Sequence, residues 1–221
     1  MATAYHRIVG GSVHRLSAIS DGIFAVAMTL LVLDLHVPAL QLLHAQHALW
    51  APGATGGERQ LWHALVALAP RLGIFVLGFL TLGMFWLGQQ AQLDHLARGD
   101  RHLTWIHLTF LCAVSLMPFS TALLAEYETY RVALLVYWLH LLTLGLLLLG
   151  ALRYAERAKL FRSDTPEGLV AAARRRIVVA QALYAVSVAL GMVNTYLSVA
   201  LIVLLQLNSA VAPDIRPLNR F

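Results

Sequence analysis

An all-α, polytopic membrane fold, with six crossing helices per protomer in a single unit over residues 1–221, is predicted by three features of the sequence. Hydrophobic residues make up 59% of the chain and charged residues 12%, where a soluble domain carries about 25% Asp, Glu, Lys and Arg. Mean hydropathy is +0.71, and one domain of this length has no interior large enough to hide that much apolar surface from water. Apolar runs recur at roughly the 20 residues a helix needs to cross about 30 Å of hydrocarbon. Finally, the basic residues sit between those runs, so the formal charge of +5 points to loops facing anionic lipid rather than to nucleic acid. A soluble enzyme and a disordered chain are excluded on the same grounds. Cys112, the single cysteine, lies inside an apolar run, so there is no disulfide framework.

The first span is expected over 17–37, stopped by Pro38. Residues 39–60 are polar and punctuated by Gly and Pro, which reads as a loop with a short surface helix. A second span follows at 72–89, with 61–71 as its aqueous extension, and the charged stretch 93–101 then turns the chain. The third span, 103–125, contains Pro118, which must kink it or free carbonyls. The fourth is 130–152, followed by a long polar segment, 153–176, expected as a cytoplasmic loop. The last apolar stretch, 177–207, has 31 residues, roughly 46 Å of helix at 1.5 Å per residue. That is too long for one crossing. Gly191 and Asn194 offer a break, giving two short spans at 177–191 and 194–207.

Six spans place thirteen of the sixteen Lys and Arg residues on one side, seven of them in 153–176. The positive-inside rule therefore predicts cytoplasmic N- and C-termini; the location expected for the chain is multi-pass in a bacterial inner membrane. The first apolar run carries Asp21 and Asp34 and no small-residue cleavage site, unlike a signal peptide. No internal repeat of the kind that marks many transporters is visible.

Chemistry concentrates in the first helix. At 100° per residue, Arg15, Ile19, Gly22, Leu30, Leu33 and Val37 all fall within about 40° of Val26. Thr29 lies about 60° from Val26, whereas Ser20 and Asp21 lie about 120° and 140° away. An Asp inside a span costs roughly 2.5–3.5 kcal/mol on insertion scales and normally faces protein or water with a partner. Ser20 and Asp21 thus form a polar face, expected to be buried, that either anchors the helix start or joins a wider network. The aliphatic stripe faces lipid, the protein core or an ion path.

The segment RLSAISDGIFAVAMTLLVLDLHVP, residues 15–38, resembles the first-helix signature of the transmembrane protein 175 family of potassium channels. Arg15, Ser20, Asp21, Ala25, Thr29, Leu30 and Leu31 match that signature, and Ile19 stands where it has phenylalanine. SLMPFSTALLAEY at 115–127 is similar to the family's proline-phenylalanine-serine/threonine segment, and FW at 85–86 to the end of its second span. Gln89 and Gln90 stand in place of a histidine pair, and His107 in place of an asparagine. The resemblance implies a homotetramer with the first helices around a central pore and no TVGYG filter, a segment this sequence lacks. It implies pore-lining roles for Val26, Thr29, Leu30 and Leu33, the aliphatic rings closing the path by dewetting. It also implies a buried motif network of Arg15, Ser20 and Asp21, for which Trp86, Gln89 and His107 are the expected partners.

Other features are weaker. Asp34 and His36 end the first helix, either as rings at an outer mouth or at an interface. His44 and His47 have i, i+3 spacing, but as ordinary solvated side chains they need no metal, and His95 and His102 flank a turn. Arg174–Arg176 read as a lipid-facing anchor. No HExxH, GxSxG, Walker or CxxC motif occurs, so neither an enzyme nor a resident cofactor is expected beyond permeant K⁺. The expected partners are copies of the chain itself and membrane lipid. Two rival functions remain: an ion-coupled carrier relaying protons through Asp21 and His107, and a non-conducting scaffold.

Overall fold

The computed structural model describes residues 13–38, 50 and 55–211. Eight α-helices follow one another among these residues: α1 (Val13–Leu30), α2 (Thr55–Ala67), α3 (Ala69–Asp94), α4 (Arg101–Ser115), α5 (Met117–Glu126), α6 (Arg131–Arg157), α7 (Leu169–Leu190) and α8 (Thr195–Val211). A 3₁₀ turn, Leu31–Asp34, extends α1. Four segments are long and apolar enough to cross a membrane: Val13–Asp34, Gly56–Asp94, Arg101–Glu126 and Arg131–Arg157. The second has 39 residues, about 58 Å of helix, which is longer than the roughly 30 Å that one crossing needs. Pro70 in the first turn of α3 marks the join, where its missing N–H costs nothing.

Pro118 divides the third segment. The helix ends at Ser115 and restarts at Met117, with Leu116 N–H turning back to the Ala113 carbonyl at 3.0 Å. His140 on α6 fastens the break. Its Nε2–H donates to the Ala113 carbonyl (2.9 Å), and its Nδ1 pairs with Ser120 Oγ (2.8 Å) on the far side of the proline. A carbonyl only accepts, so the neutral ring carries its proton on Nε2 and takes one from Ser120. Elsewhere hydroxyls inside the apolar helices bond their own backbone, as Thr81 to Leu77, Thr109 to Trp105 and Thr143 to Leu139, and so meet the demand for internal partners.

Between the basic clusters the loops are shorter than expected. The polar segment 153–176 does not form one loop, because α6 continues to Arg157 and α7 begins at Leu169. Arg and Ala are strong helix formers, so Arg174–Arg176 lie within α7 and the link is confined to 158–168. That link pairs with the turn after α3 through a Leu96–Phe161 bridge. Nearby, Asp100 caps α4 and accepts the Tyr154 hydroxyl of α6 (2.6 Å). Between α7 and α8 the chain turns at 191–194, where Asn194 Oδ1 accepts from the Tyr196 and Leu197 N–H groups.

The main core is built from α1 and α3 to α8, with Phe110 centred between Phe24 (6.1 Å) and Phe85 (6.2 Å). α8 is docked by a buried polar contact, Gln206 Nε2 donating to Thr81 Oγ1 at 2.6 Å, while Thr81 also meets the Tyr137 hydroxyl at 2.9 Å. Interhelical hydrogen bonds in membranes average only about 0.6 kcal/mol. Tyr137→Phe, which keeps the ring and deletes the hydroxyl, is therefore expected to cost about 1 kcal/mol in detergent unfolding. A loss several times larger would mean the hydroxyl network, and not packing, holds this part together.

Candidate functional site

The first helix presents two chemically different sides. Leu16, Ser20, Phe24, Ala27 and Leu31 are buried against α3 and α4. Gly78 leaves room where these elements meet: a Cβ there would come within 3.3 Å of Leu31 and 2.9 Å of Thr121 on α5, so Thr121 would have to shift. The aliphatic stripe faces away from this core. Ile19 is 48% exposed, Val26 57%, Leu30 41% and Leu33 66% within the single chain. Thr29 is also exposed, its hydroxyl donating to the Val26 carbonyl at 2.8 Å. Beside the stripe runs an open groove of about 390 Å³, lined by Ile19, Gly22, Ile23, Val26, Ala27, Leu30 and Ser115.

The motif residues do not form the single buried network expected of them. Ser20 is fully buried, but it donates to the Leu16 carbonyl of its own helix (2.8 Å). Asp21 is exposed at the seam with α3, where Oδ1 accepts from Trp86 Nε1 (2.7 Å) and Gln90 Nε2 (2.5 Å). Ser17 Oγ completes the cluster by donating to Gln90 Oε1 at 2.8 Å. Trp86 thus takes the expected place, and Gln90 takes the one assigned to Gln89. Gln89 and His107 are both buried and pair with each other, Gln89 Nε2 to His107 Nδ1 at 3.1 Å. Arg15 is exposed on α1, six residues before Asp21.

The difference follows from helix phase. Trp86 and Gln90 are four residues apart and share a face, as do Ser17 and Asp21 on α1, so two i, i+4 pairs meet across the seam. Gln89 is one residue earlier and turns about 100° toward α4, where His107 lies. The i, i+4 spacing puts Ser17 on the face of Asp21 and Gln90 on the face of Trp86, but only the packing of α1 on α3 brings the two pairs together. His140 was identifiable as an isolated histidine in the apolar run 131–152, since a polar side chain inside a span needs a partner. Gln206 carried the same signal.

Chemically, the Asp21 cluster can fasten α1 to α3. Asp21 is bonded to Trp86 and Gln90, and His107 to Gln89, so the two groups belong to separate hydrogen-bonded sets. Asp34 is half-buried at the end of α1, its carbonyl 3.1 Å from His36 Nδ1. His44 and His47 lie outside the described residues. Among the described residues no three of His, Cys, Asp and Glu gather where a metal ion could be held.

Comparison with known proteins bears on the same helix. The family model "Endosomal/lysosomal potassium channel TMEM175" matches residues 15–118, from Arg15 to Pro118. A potassium channel of Streptomyces collinus is 38% identical over 136 residues, 60% of this chain and 59% of that protein. This chain therefore aligns with about three fifths of that relative's length. A potassium channel of Chamaesiphon minutus is 29% identical over 189 residues, 84% of this chain and 87% of the relative. The fold is similar to the crystal structure of a lysosomal potassium-selective channel TMEM175 homolog from Chamaesiphon minutus. The TM-score is 0.72 at 26% identity, covering 92% of this chain and 98% of that one.

Proposed function

We propose that this chain is a TMEM175-family protein, on the match of that family's model to residues 15–118, and that it is a potassium-permeable channel whose pore is lined by α1 from four copies. The protomer crosses a bacterial inner membrane six times with both termini in the cytoplasm, α7 and α8 forming the last, short pair. Val26, Leu30 and Leu33 form successive aliphatic rings around the shared axis, and Thr29 adds a hydroxyl beside them. Such rings close a path by dewetting, without a carbonyl-lined TVGYG filter. Moderate cation preference then comes from hydroxyl and carbonyl dipoles. Asp21, Trp86, Gln90 and Ser17 fasten α1 to α3, so the stripe keeps its angular position.

One observation carries the reading. The first helix is apolar on both sides: it buries Leu16, Phe24, Ala27 and Leu31 in its own protomer and leaves Val26, Leu30 and Leu33 uncovered in the single chain, a second apolar face free to meet copies of itself. Purified protein in liposomes tests it. Passive K⁺ flux running down to equilibrium supports a channel, saturable substrate-dependent flux a carrier, and no flux a scaffold. Light scattering must return a tetramer, since a monomer has no shared axis. Valine is the smallest of the ring side chains. Val26→Leu is expected to narrow that ring and lower single-channel conductance or open probability about threefold, a barrier change of about 0.7 kcal/mol. Unchanged currents would remove Val26 from the pore.

A further inference from the structure

We propose that the outward face of α7 binds one anionic phospholipid, its phosphate gripped between Arg175 and Arg176 and its acyl chains lying along Leu183, Val186 and Leu190. The inference rests on α7 crossing the membrane, and it is independent of whether the protein conducts.

Helix phase makes the first argument. At 100° per residue, Leu183, Val186 and Leu190 cluster within about 60° of each other, and Arg175 and Arg176 fall about 50° to either side of their centre. All five side chains are exposed. Arg174 is turned differently, toward Glu156 on α6 at 3.8 Å, which leaves the other two guanidinium groups at the head of the apolar face. α7 packs on α6 and α8, away from α1, so this face looks outward from the bundle.

Length makes the second. Gly191, just past the end of α7, lies against Leu134, one turn from the start of α6. From Gly191 back to Arg176 is only about 22 Å of helix at 1.5 Å per residue, against about 30 Å of hydrocarbon. The two arginines are therefore drawn to or below the hydrocarbon boundary. A charge held there is tolerated by snorkelling and by local thinning of the bilayer, which bring a lipid phosphate down to the guanidinium. Guanidinium groups suit phosphate because their planar donor fork can bond two oxygens at once. Arg153 and Arg157, exposed on the neighbouring end of α6, add positive field.

The test is lipid retention. Wild type, R175Q/R176Q, R175K/R176K and a charge-matched control, R98Q/K159Q, are extracted from phosphatidylglycerol–phosphatidylethanolamine liposomes and examined by native mass spectrometry. Wild type and the control should each retain one phosphatidylglycerol per chain in preference to phosphatidylethanolamine. The glutamine pair should retain more than tenfold less, as expected from two surface arginines, and the lysine pair an intermediate amount. Equal retention by wild type and the glutamine pair overturns the site. So does equal loss in the control, which would mean only net charge matters, or displacement by added inorganic phosphate, which would mean a free-anion site. If the glutamine pair fails to insert, the lysine pair and the headgroup preference of wild type decide. A protein that passes these tests but shows no K⁺ flux would refute the channel and leave the lipid site standing.

Discussion

Leu30→Asn is expected to raise resting K⁺ flux into liposomes at least tenfold while the protein still purifies as a tetramer. Tenfold corresponds to about 1.4 kcal/mol off the barrier. Four asparagine amides in one ring reach that with a few tenths each, because they hydrate a constriction whose resistance comes from excluding water. The substitution is tolerable for the fold since Leu30 is 41% exposed in the single chain and fills no core site. Leu31, the next residue, supplies the contrast. It is 1% exposed, inside the main core, so Leu31→Asn should cost stability through a buried amide without partners. Flux unchanged in Leu30→Asn, with intact tetramers, would take the stripe out of the ion path.

Asp21→Ala is expected to impair assembly far more than it alters selectivity. Asp21 Oδ1 accepts two hydrogen bonds from α3, from Trp86 and Gln90. Bonds to a charged acceptor contribute about 1.5–3 kcal/mol each when buried. The seam is exposed in the single chain, so each bond falls below that range and the pair contributes about 2 kcal/mol in all. Deleting it frees the start of α1 to rotate, and a helix out of phase cannot bring four copies of Val26 to one axis. The tetramer fraction by light scattering should fall by more than half. Asp21→Asn keeps the carbonyl oxygen as acceptor and should fall between Asp21→Ala and wild type. A variant that assembles normally but passes different ions would instead make Asp21 part of the conduction path.

Gln90→Leu should weaken assembly in the same direction, whereas Gln89→Leu should not. The two glutamines are neighbours in the chain and equivalent in composition, yet α3 turns one to Asp21 and the other to His107. That distinction illustrates where reading the sequence stops. Residue types and the 100° step were enough to separate the stripe from Ser20 and Asp21, because they depend on one helix only. Which of two adjacent side chains meets a given partner depends on the relative rotation of two helices, which no single-helix periodicity contains. The same limit explains His140. Its isolation in an apolar run was visible, but its partners, Ala113 and Ser120, lie across a proline break on another element.

What the sequence determined by itself is the all-helical, membrane-compatible character of the chain and the aliphatic line on α1. Those follow from composition, run length and local period, which act through solvent and backbone without knowledge of neighbours. Tertiary structure alone decided that Asp21 sits at an exposed seam and that Gln90 and Ser17 complete its cluster. These outcomes depend on how helices rotate and slide against one another, and that adjustment is driven by packing of side chains distant in the chain, such as Phe24 on Phe110.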